Sequence, residues 1–269
     1  MTTHATPAGI CHEIERIARA AGQELRERFH RPRAVEKKGV IDIVTDADKA
    51  AERIILDELA RAFPGAPVLS EESGSVPGLV AGRRFIVDPL DGTTNYAHGI
   101  PHFSTTIAAE DSSGLCAGVV YDPIRDEMYA ASRGGGAHCN GVPLHVGAAA
   151  SLEDAVMATG FPYDIRDRMD EILGFFEDFT RLVRAVRRFG SAALDLAWVA
   201  QGRYDGYWER GLKPWDMAAG LLLVVEAGGV VSNYQGEAVR LEQGECVASA
   251  ASIHRLMVDV TKARLGSDT

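Results

Sequence analysis

Apolar residues fall at Ile10, Ile14, Ile17, Ala21, Leu25 and Phe29. That three- and four-residue spacing lines one side of a helix, and predicts an opening amphipathic helix whose stripe needs a partner layer. A second helix is predicted over "TDADKAAERIILDELARAF". Thr45 and Asp48 have the spacing of a capping box, Ile54, Ile55, Leu59 and Phe63 share a face, and Pro64 with Gly65 stops it. The pattern then shortens to strand-like runs, "APVLS", "RRFIV", "FSTTIAAE", "LCAGVVYD" and "EMYAAS", the last two joined by the turn-forming "DPIRD". A substantial sheet, at least partly antiparallel, follows from them.

After the glycine-rich "RGGGAHCNG", strands alternate with helices: "AVMATG", a helix near residues 167–188, another near 191–201, then "YDGYWE". In "KPWDMAAGLLLVVEAGG" a proline and an acid open a helix and two glycines close it, which places Asp216 at a helix N-terminus. Residues 1–140 are thus expected to form a mainly antiparallel-sheet lobe with two N-terminal helices, and 141–269 an α/β lobe. With no internal repeat or long linker in view, the two are expected to pack as one body over 1–269, the boundary lying near residue 140.

Composition narrows the function. The chain has 269 residues, 46% of them hydrophobic, and a formal charge of −10. An acidic balance argues against broad binding to nucleic acid or anionic membrane, and an anionic substrate would need a local cation. Cys11, Cys116, Cys139 and Cys246 are scattered with no C-x-x-C pair, which suits a reducing cytoplasm rather than a zinc knuckle or disulfide framework. The N-terminus lacks a basic start followed by an apolar run, and the most apolar segment, "AAGLLLVVEAGGVV", is broken by Glu226 and two glycines, so neither a secretion signal nor a membrane span is expected.

Candidate chemistry gathers at the ends of elements. In "FIVDPLDGTTNY", Asp88 and Asp91 flank Pro89 and Leu90, and the proline is expected to turn the strand into a loop where both carboxylates can converge. Gly92 removes a side chain where backbone N–H groups could meet a phosphate, and Thr93 and Thr94 add hydroxyls. "LSEESG" adds Glu71 and Glu72, and "PWDMAAG" adds Asp216 in an apolar setting. Taken singly, these read as an Asx turn, a solvated acidic pair and a helix cap. Carboxylates converging from three element ends raise one another's pKa unless a cation neutralises them. An all-oxygen set favours Mg²⁺, with Mn²⁺ as the alternative, and such a site can activate a water for phosphoryl transfer.

The blocks "DIVTDADKAAE", "LSEESG", "FIVDPLDGTTNYAHGIPHFSTTIA", "RRFGSAALDLAWVAQGRYDGYWERGLKPWD" and "PWDMAAGLLLVVEAGG" resemble the inositol monophosphatase family, in the family's order and over most of the chain. The resemblance implies a layered α-β-α-β-α sandwich, α+β or α/β in class, of the inositol monophosphatase and fructose-1,6-bisphosphatase type. It implies Mg²⁺-dependent hydrolysis of a phosphorylated polyol, myo-inositol 1-phosphate first, with a homodimer and inhibition by lithium. Carried over residue by residue, Glu71, Asp88, Asp91 and Asp216 become metal carboxylates joined by the Leu90 carbonyl, with Glu72 behind them. Glu71 and Thr93 orient the attacking water, and the Gly92 and Thr93 N–H groups hold the phosphate. Asp42 and Asp48 hold the water network and a weaker metal, and either Lys37 or Lys38 faces the site. Ala192 and Glu209 line the alcohol pocket, with Asp91 and Asp216 also facing the substrate.

Rival readings are a sugar-phosphate, histidinol-phosphate or nucleotide 3′-phosphate phosphatase of the same fold, and a regulatory binding protein acting through a surface such as residues 181–188. His98 and His102 lack the intervening helix a zinc pair needs. "DADKAAERIILDE" has Ala51 where a calcium loop requires glycine, "RGGGAHCNG" lacks the lysine of a nucleotide P-loop, and "RLVRAVRRFG" reads as one solvated helix face.

Overall fold

The computed structural model describes residues 6–31, 35–37, 43–79 and 82–267. Helix α1 (Pro7–Arg28) is followed by the short strands β1 (Val35–Lys37) and β2 (Ile43–Thr45), and then by α2 (Asp46–Ala62). All six apolar positions of the predicted opening stripe are buried. In α2, Ile55, Leu59 and Phe63 are buried while Ile54 is half-buried at the edge of the same core. The cap is made by Asp48, whose Oδ2 accepts the Thr45 N–H at 2.8 Å and the Thr45 hydroxyl at 2.5 Å.

The chain then builds an eight-stranded sheet from β3 (Val68–Ser70), β4 (Gly74–Val76), β5 (Arg83–Asp91), a short helix α3 (Thr93–Ala97) that leaves the sheet, and β6 (Ser104–Asp111), β7 (Gly114–Asp122), β8 (Glu127–Ser132), β9 (Gly136–Cys139) and β10 (Val142–Pro143). Its order is β10-β9-β8-β7-β6-β5-β3-β4, antiparallel except where β3 runs beside β5. A five-stranded sheet follows: β11 (Val156–Thr159), α4 (Met169–Leu182), β12 (Ala185–Arg187), α5 (Ala192–Ala200), β13 (Gly206–Arg210), α6 (Pro214–Glu226), β14 (Val230–Ser232), β15 (Glu245–Ser249) and α7 (Ala251–Ser267). Its order is β12-β11-β13-β15-β14, with β11 parallel to both neighbours and β15 antiparallel to both of its own.

Three cores separate five layers. The first lies between the α1/α2 pair and the larger sheet, the second between the two sheets around α5 and α6, and the third between the smaller sheet and α4 with α7. The order is α-β-α-β-α, as expected. Because the larger sheet is covered on both faces, its central strands are apolar on both: Ala117 and Val119 of β7 face α1, and Val120 faces α6. Close approach is set by small residues. A Cβ on Gly118 would stand 3.0 Å from the Ala219 Cα, so α6 rests almost directly on the β7 backbone.

Two elements depart from the sequence reading. The helix expected near 167–188 ends at Leu182, and Ala185–Arg187 forms edge strand β12 beside β11. The β-branched Val183 and Val186 contribute to the third core from extended backbone. The arginines of "RLVRAVRRFG" are therefore spread over a helix end, a loop and a strand rather than one helix face. The second departure is at Pro89, which does not end its strand.

Candidate active site

On a regular strand residues three apart point to opposite faces, so Asp88 and Asp91 should diverge. They do not, because β5 carries a bulge between them: Asp88 pairs with Thr106 and Asp91 with Ser104, so three steps on β5 match two on β6. The extra residue restores a common side. Pro89 is tolerated there because a bulge needs no ladder N–H, and its carbonyl is instead taken by the Thr105 hydroxyl at 2.8 Å.

Behind the bulge, Gly92 turns the chain into α3 with φ of 93°. A Cβ at that position would lie 3.1 Å from the His102 carbonyl, so both the left-handed backbone and the space require glycine. Thr93 Oγ1 lies 3.0 Å from Asp48 Oδ1 and 2.9 Å from the Leu90 carbonyl. One hydroxyl proton serves only one of them at a time, so this hydroxyl can switch partners.

The other acids arrive from separate elements. Glu71 and Glu72 sit on the turn between β3 and β4, pinned from below by Glu52 of α2. That buried side chain accepts the Ser70 hydroxyl at 2.6 Å, the Ser73 hydroxyl at 2.7 Å and the Ser73 N–H at 2.9 Å. Asp216, in the first turn of α6, accepts the Lys213 N–H at 2.7 Å. Asp91 Oδ2 accepts the Ser191 hydroxyl at 2.5 Å and the Ala193 N–H at 2.9 Å, which docks the start of α5 onto the bulge. On β13, the Tyr207 hydroxyl donates to Glu209 Oε2, and a Cβ on Gly160 would fall 2.1 Å from the same oxygen.

These groups surround one cavity of about 630 Å³, within the usual range for small-ligand sites. Its wall includes Glu71, Glu72, Asp88, Leu90, Asp91, Gly92, Thr93, Ala192, Glu209 and Asp216, so among the described residues the structure brings together all the candidates except Asp48, which stands behind Thr93. Asp42 and Lys38 lie outside the described residues, as does the Lys37 side chain. His98 and His102 do not line the cavity. His102 is buried against Phe189 and Trp198, and burial lowers its pKa to about 4.

Two residues escaped the sequence reading. Glu52 reads as one more polar position on an amphipathic helix, and only the tertiary contact reveals its role. Asp195 did leave a signal: it is the one charged residue in the otherwise apolar "AALDLAWVA" of α5, and its side chain lines the cavity.

The electrostatics are one-sided. Among the described residues, seven carboxylates (Glu71, Glu72, Asp88, Asp91, Asp195, Glu209 and Asp216) line the cavity against two cations, Arg188 and Lys213. Asp88 is pushed well above the carboxylate range, chiefly by burial and then by the charges of Glu71, Asp91 and Asp216, and it shares a hydrogen bond with Glu71. Burial raises Asp91 to about 6 against the pull of Ser191 and the α5 amides. Asp216 is half-exposed at the cavity wall yet deep in the surrounding protein. Desolvation raises it well above its ordinary value despite the Lys213 N–H.

Two carboxylates in contact need either a proton or a cation between them. The all-oxygen donors of Glu71, Asp88, Leu90, Asp91 and Asp216 therefore fit a hard divalent ion.

A five-layer α-β-α-β-α sandwich with an acidic cavity at its strand and helix ends has the architecture of inositol monophosphatase-type proteins. The chain belongs to the inositol monophosphatase family, whose model matches residues 10–264. An inositol-1-monophosphatase of Mesorhizobium japonicum is 45% identical over 262 residues, covering 97% of this chain and 98% of that one. The protein named Nus factor SuhB of Pseudomonas aeruginosa is 42% identical over 256 residues, covering 93% and 94%. The crystal structure of the extragenic suppressor protein suhB of Bartonella henselae superposes with a TM-score of 0.91 at 42% identity, covering 94% of this chain and 98% of that one. Family membership supports a phosphatase.

Proposed function

We propose that the protein is a Mg²⁺-dependent phosphomonoesterase that hydrolyses myo-inositol 1-phosphate to inositol and phosphate. The observation that carries this reading is the gathering of carboxylates at one cavity: among the described residues seven of them line it against two cations, an excess that would repel a phosphate ester unless a multivalent cation entered with it. Glu71, Asp88, Asp91, Asp216 and the Leu90 carbonyl would hold Mg²⁺, or Mn²⁺ in its place. The bound ion would supply Lewis-acid activation of water and charge stabilisation on the phosphoryl oxygens.

The chain's own groups would do the rest. Thr93, held against Asp48 and the Leu90 carbonyl, orients the attacking water together with Glu71, and this pair takes the water's proton. The Gly92 and Thr93 N–H groups, at the start of α3, hold the phosphate oxygens. The water oxygen bonds to phosphorus, the ester P–O bond breaks on the opposite side, the departing alkoxide takes a proton from a solvent water, and the proton held on Glu71 passes to solvent, which restores the site. Glu209 accepts a hydroxyl of the polyol, fixed in place by Tyr207 and the Gly160 backbone, with Ala192 beside it. Residues 1–269 would act as one domain, as a homodimer in the cytoplasm, sensitive to lithium.

The test is phosphate release from myo-inositol 1-phosphate, fructose 1,6-bisphosphate, histidinol phosphate and 3′-phosphoadenosine 5′-phosphate by wild type and Asp88→Asn. Preference for the inositol ester, abolished in the variant, supports the reading. Preference for another ester keeps the metal site and overturns the substrate.

A second reading, a regulatory protein with a macromolecular partner, is favoured by the name Nus factor carried by the Pseudomonas relative. Arg184, Arg187 and Arg188 are exposed on the segment after α4 and would serve as that surface. Capture of a partner by Asp88→Asn as efficiently as by wild type supports it, and loss of capture in the variant contradicts it.

A further inference from the structure

Asp195 is a buried acid that none of the roles above employs. It is 1% exposed, its Oδ1 has no hydrogen-bond partner, and its side chain lines the cavity. A carboxyl oxygen left without a partner in an apolar helix is expensive to bury, and a group kept in that state beside a cavity is a candidate for ligand contact. Its place in the fold is well defined. Asp195 lies one turn beyond Ser191 on α5, and its N–H donates to the Ser191 carbonyl at 3.0 Å. The i and i+4 positions share a helix face, and it is Ser191 that holds Asp91. Glu209 and Asp91 line the same cavity, and after burial their charges, Glu209 before Asp91, are what raise the Asp195 carboxyl. The opposing charge is Arg188, which is exposed and stacked over Phe161 at 5.2 Å.

We propose that Asp195 is a specificity-determining residue: with Glu209 it makes the alcohol end of the cavity a two-carboxyl floor that hydrogen-bonds a hydroxyl of the esterified alcohol and repels a second anionic group. This rests on the phosphomonoesterase reading above and narrows its substrate class. A neutral, hydroxyl-rich alcohol offers donors to both acids. A second phosphate or a carboxylate at that end meets two acids and, among the described residues, no buried cation, so bisphosphates and phosphorylated acids are disfavoured by charge rather than by size. Burial is the main cause raising Asp195 above the carboxylate range, with Glu209 adding to it, so a proton on the pair allows one acid to donate while the other accepts.

The test uses Asp195→Asn, which keeps shape and removes charge, on the full chain with Mg²⁺. Initial rates are measured on myo-inositol 1-phosphate, fructose 1,6-bisphosphate and p-nitrophenyl phosphate, which has neither hydroxyls nor a second anion. The proposal predicts at least a tenfold fall in kcat/KM for the inositol ester, carried mainly by KM. It also predicts a rise for the bisphosphate, and p-nitrophenyl phosphate turnover within twofold of wild type. An equal fall on all three esters assigns Asp195 to the scaffold, for example through a water shared with the nearby Tyr204, whose hydroxyl is also without a partner, and overturns the proposal. No change in the ratio of inositol ester to bisphosphate overturns it as well. Failure of the underlying reading looks different: wild type itself then cleaves p-nitrophenyl phosphate but no polyol ester.

Discussion

Asp91 offers the sharpest test of the idea that the cavity is built to hold charge at a cost in stability. Its carboxyl is raised from 3.8 to about 6 in the folded chain. An acid whose folded pKa is raised binds its proton more tightly when folded, so its stabilising contribution is present below pH 3.8 and lost as pH rises through about 6. At ~1.4 kcal/mol per pH unit, the charged Asp91 costs the folded chain about 3 kcal/mol at neutral pH. Asp88 and Asp216 shift in the same direction and add to it. The perturbation is Asp91→Asn, whose amide oxygen can keep the Ser191 and Ala193 donors while the charge is removed. In EDTA at pH 7.5 the variant should be more stable than wild type by up to about 3 kcal/mol, or roughly 6–10 °C in melting temperature for a chain of this size. At pH 4 the gap should close. In Mg²⁺ wild type should recover most of the difference and the variant little of it, while the variant loses turnover. Urea unfolding at the two pH values with EDTA measures the first part and a thermal melt with added Mg²⁺ the second. A variant less stable than wild type in EDTA at pH 7.5 would refute the reasoning, since Asp91 would then serve the fold rather than burden it.

Glu209→Gln should lower kcat/KM for myo-inositol 1-phosphate by roughly 10–100-fold, the worth of a hydrogen bond to a charged acceptor, and leave p-nitrophenyl phosphate turnover near wild type; equal losses on both esters would remove it as a polyol reader. Glu52→Ala leaves the buried Ser70 hydroxyl without its acceptor, so the chain should lose about 1–3 kcal/mol in urea unfolding, and Mg²⁺ titration calorimetry should show weaker binding as the Glu71 turn loosens. Gly118→Ala puts a Cβ 3.0 Å from the Ala219 backbone; lifting α6 should cost about 1–3 kcal/mol and displace Asp216, so kcat should fall together with the unfolding midpoint.

What the sequence made legible divides along physical lines. Periodic stripes with their own caps, α1, α2 and α6, were readable because helix punctuation and a core-facing stripe are local properties. The order of layers came from the family resemblance and could not come from periodicity, since the strands of a sheet covered on both faces carry no alternation. The strand β12 was hidden because its arginines and valines follow a helical spacing, and only pairing with β11 decides between helix and strand. Pro89 misled for a related reason: a proline inside a strand signals a break, whereas the structure uses it at a bulge. That bulge is what aims Asp88 and Asp91 to one side. The acids at element ends were visible as a group, but the supports were not. Glu52 and the Tyr207 hydroxyl act through contacts that no spacing encodes. Asp195 was visible only as an odd charge in an apolar helix, a sign that calls for tertiary structure to interpret.

The central claim is that the cavity's carboxylates hold a divalent ion that makes phosphomonoester hydrolysis possible. Its most direct test is phosphate release from myo-inositol 1-phosphate by the same preparation in Mg²⁺, in EDTA, and in EDTA followed by excess Mg²⁺. Turnover is expected in the first, none in the second and recovery in the third. Undiminished turnover in EDTA, or no turnover of any phosphomonoester with Mg²⁺ restored, would contradict it.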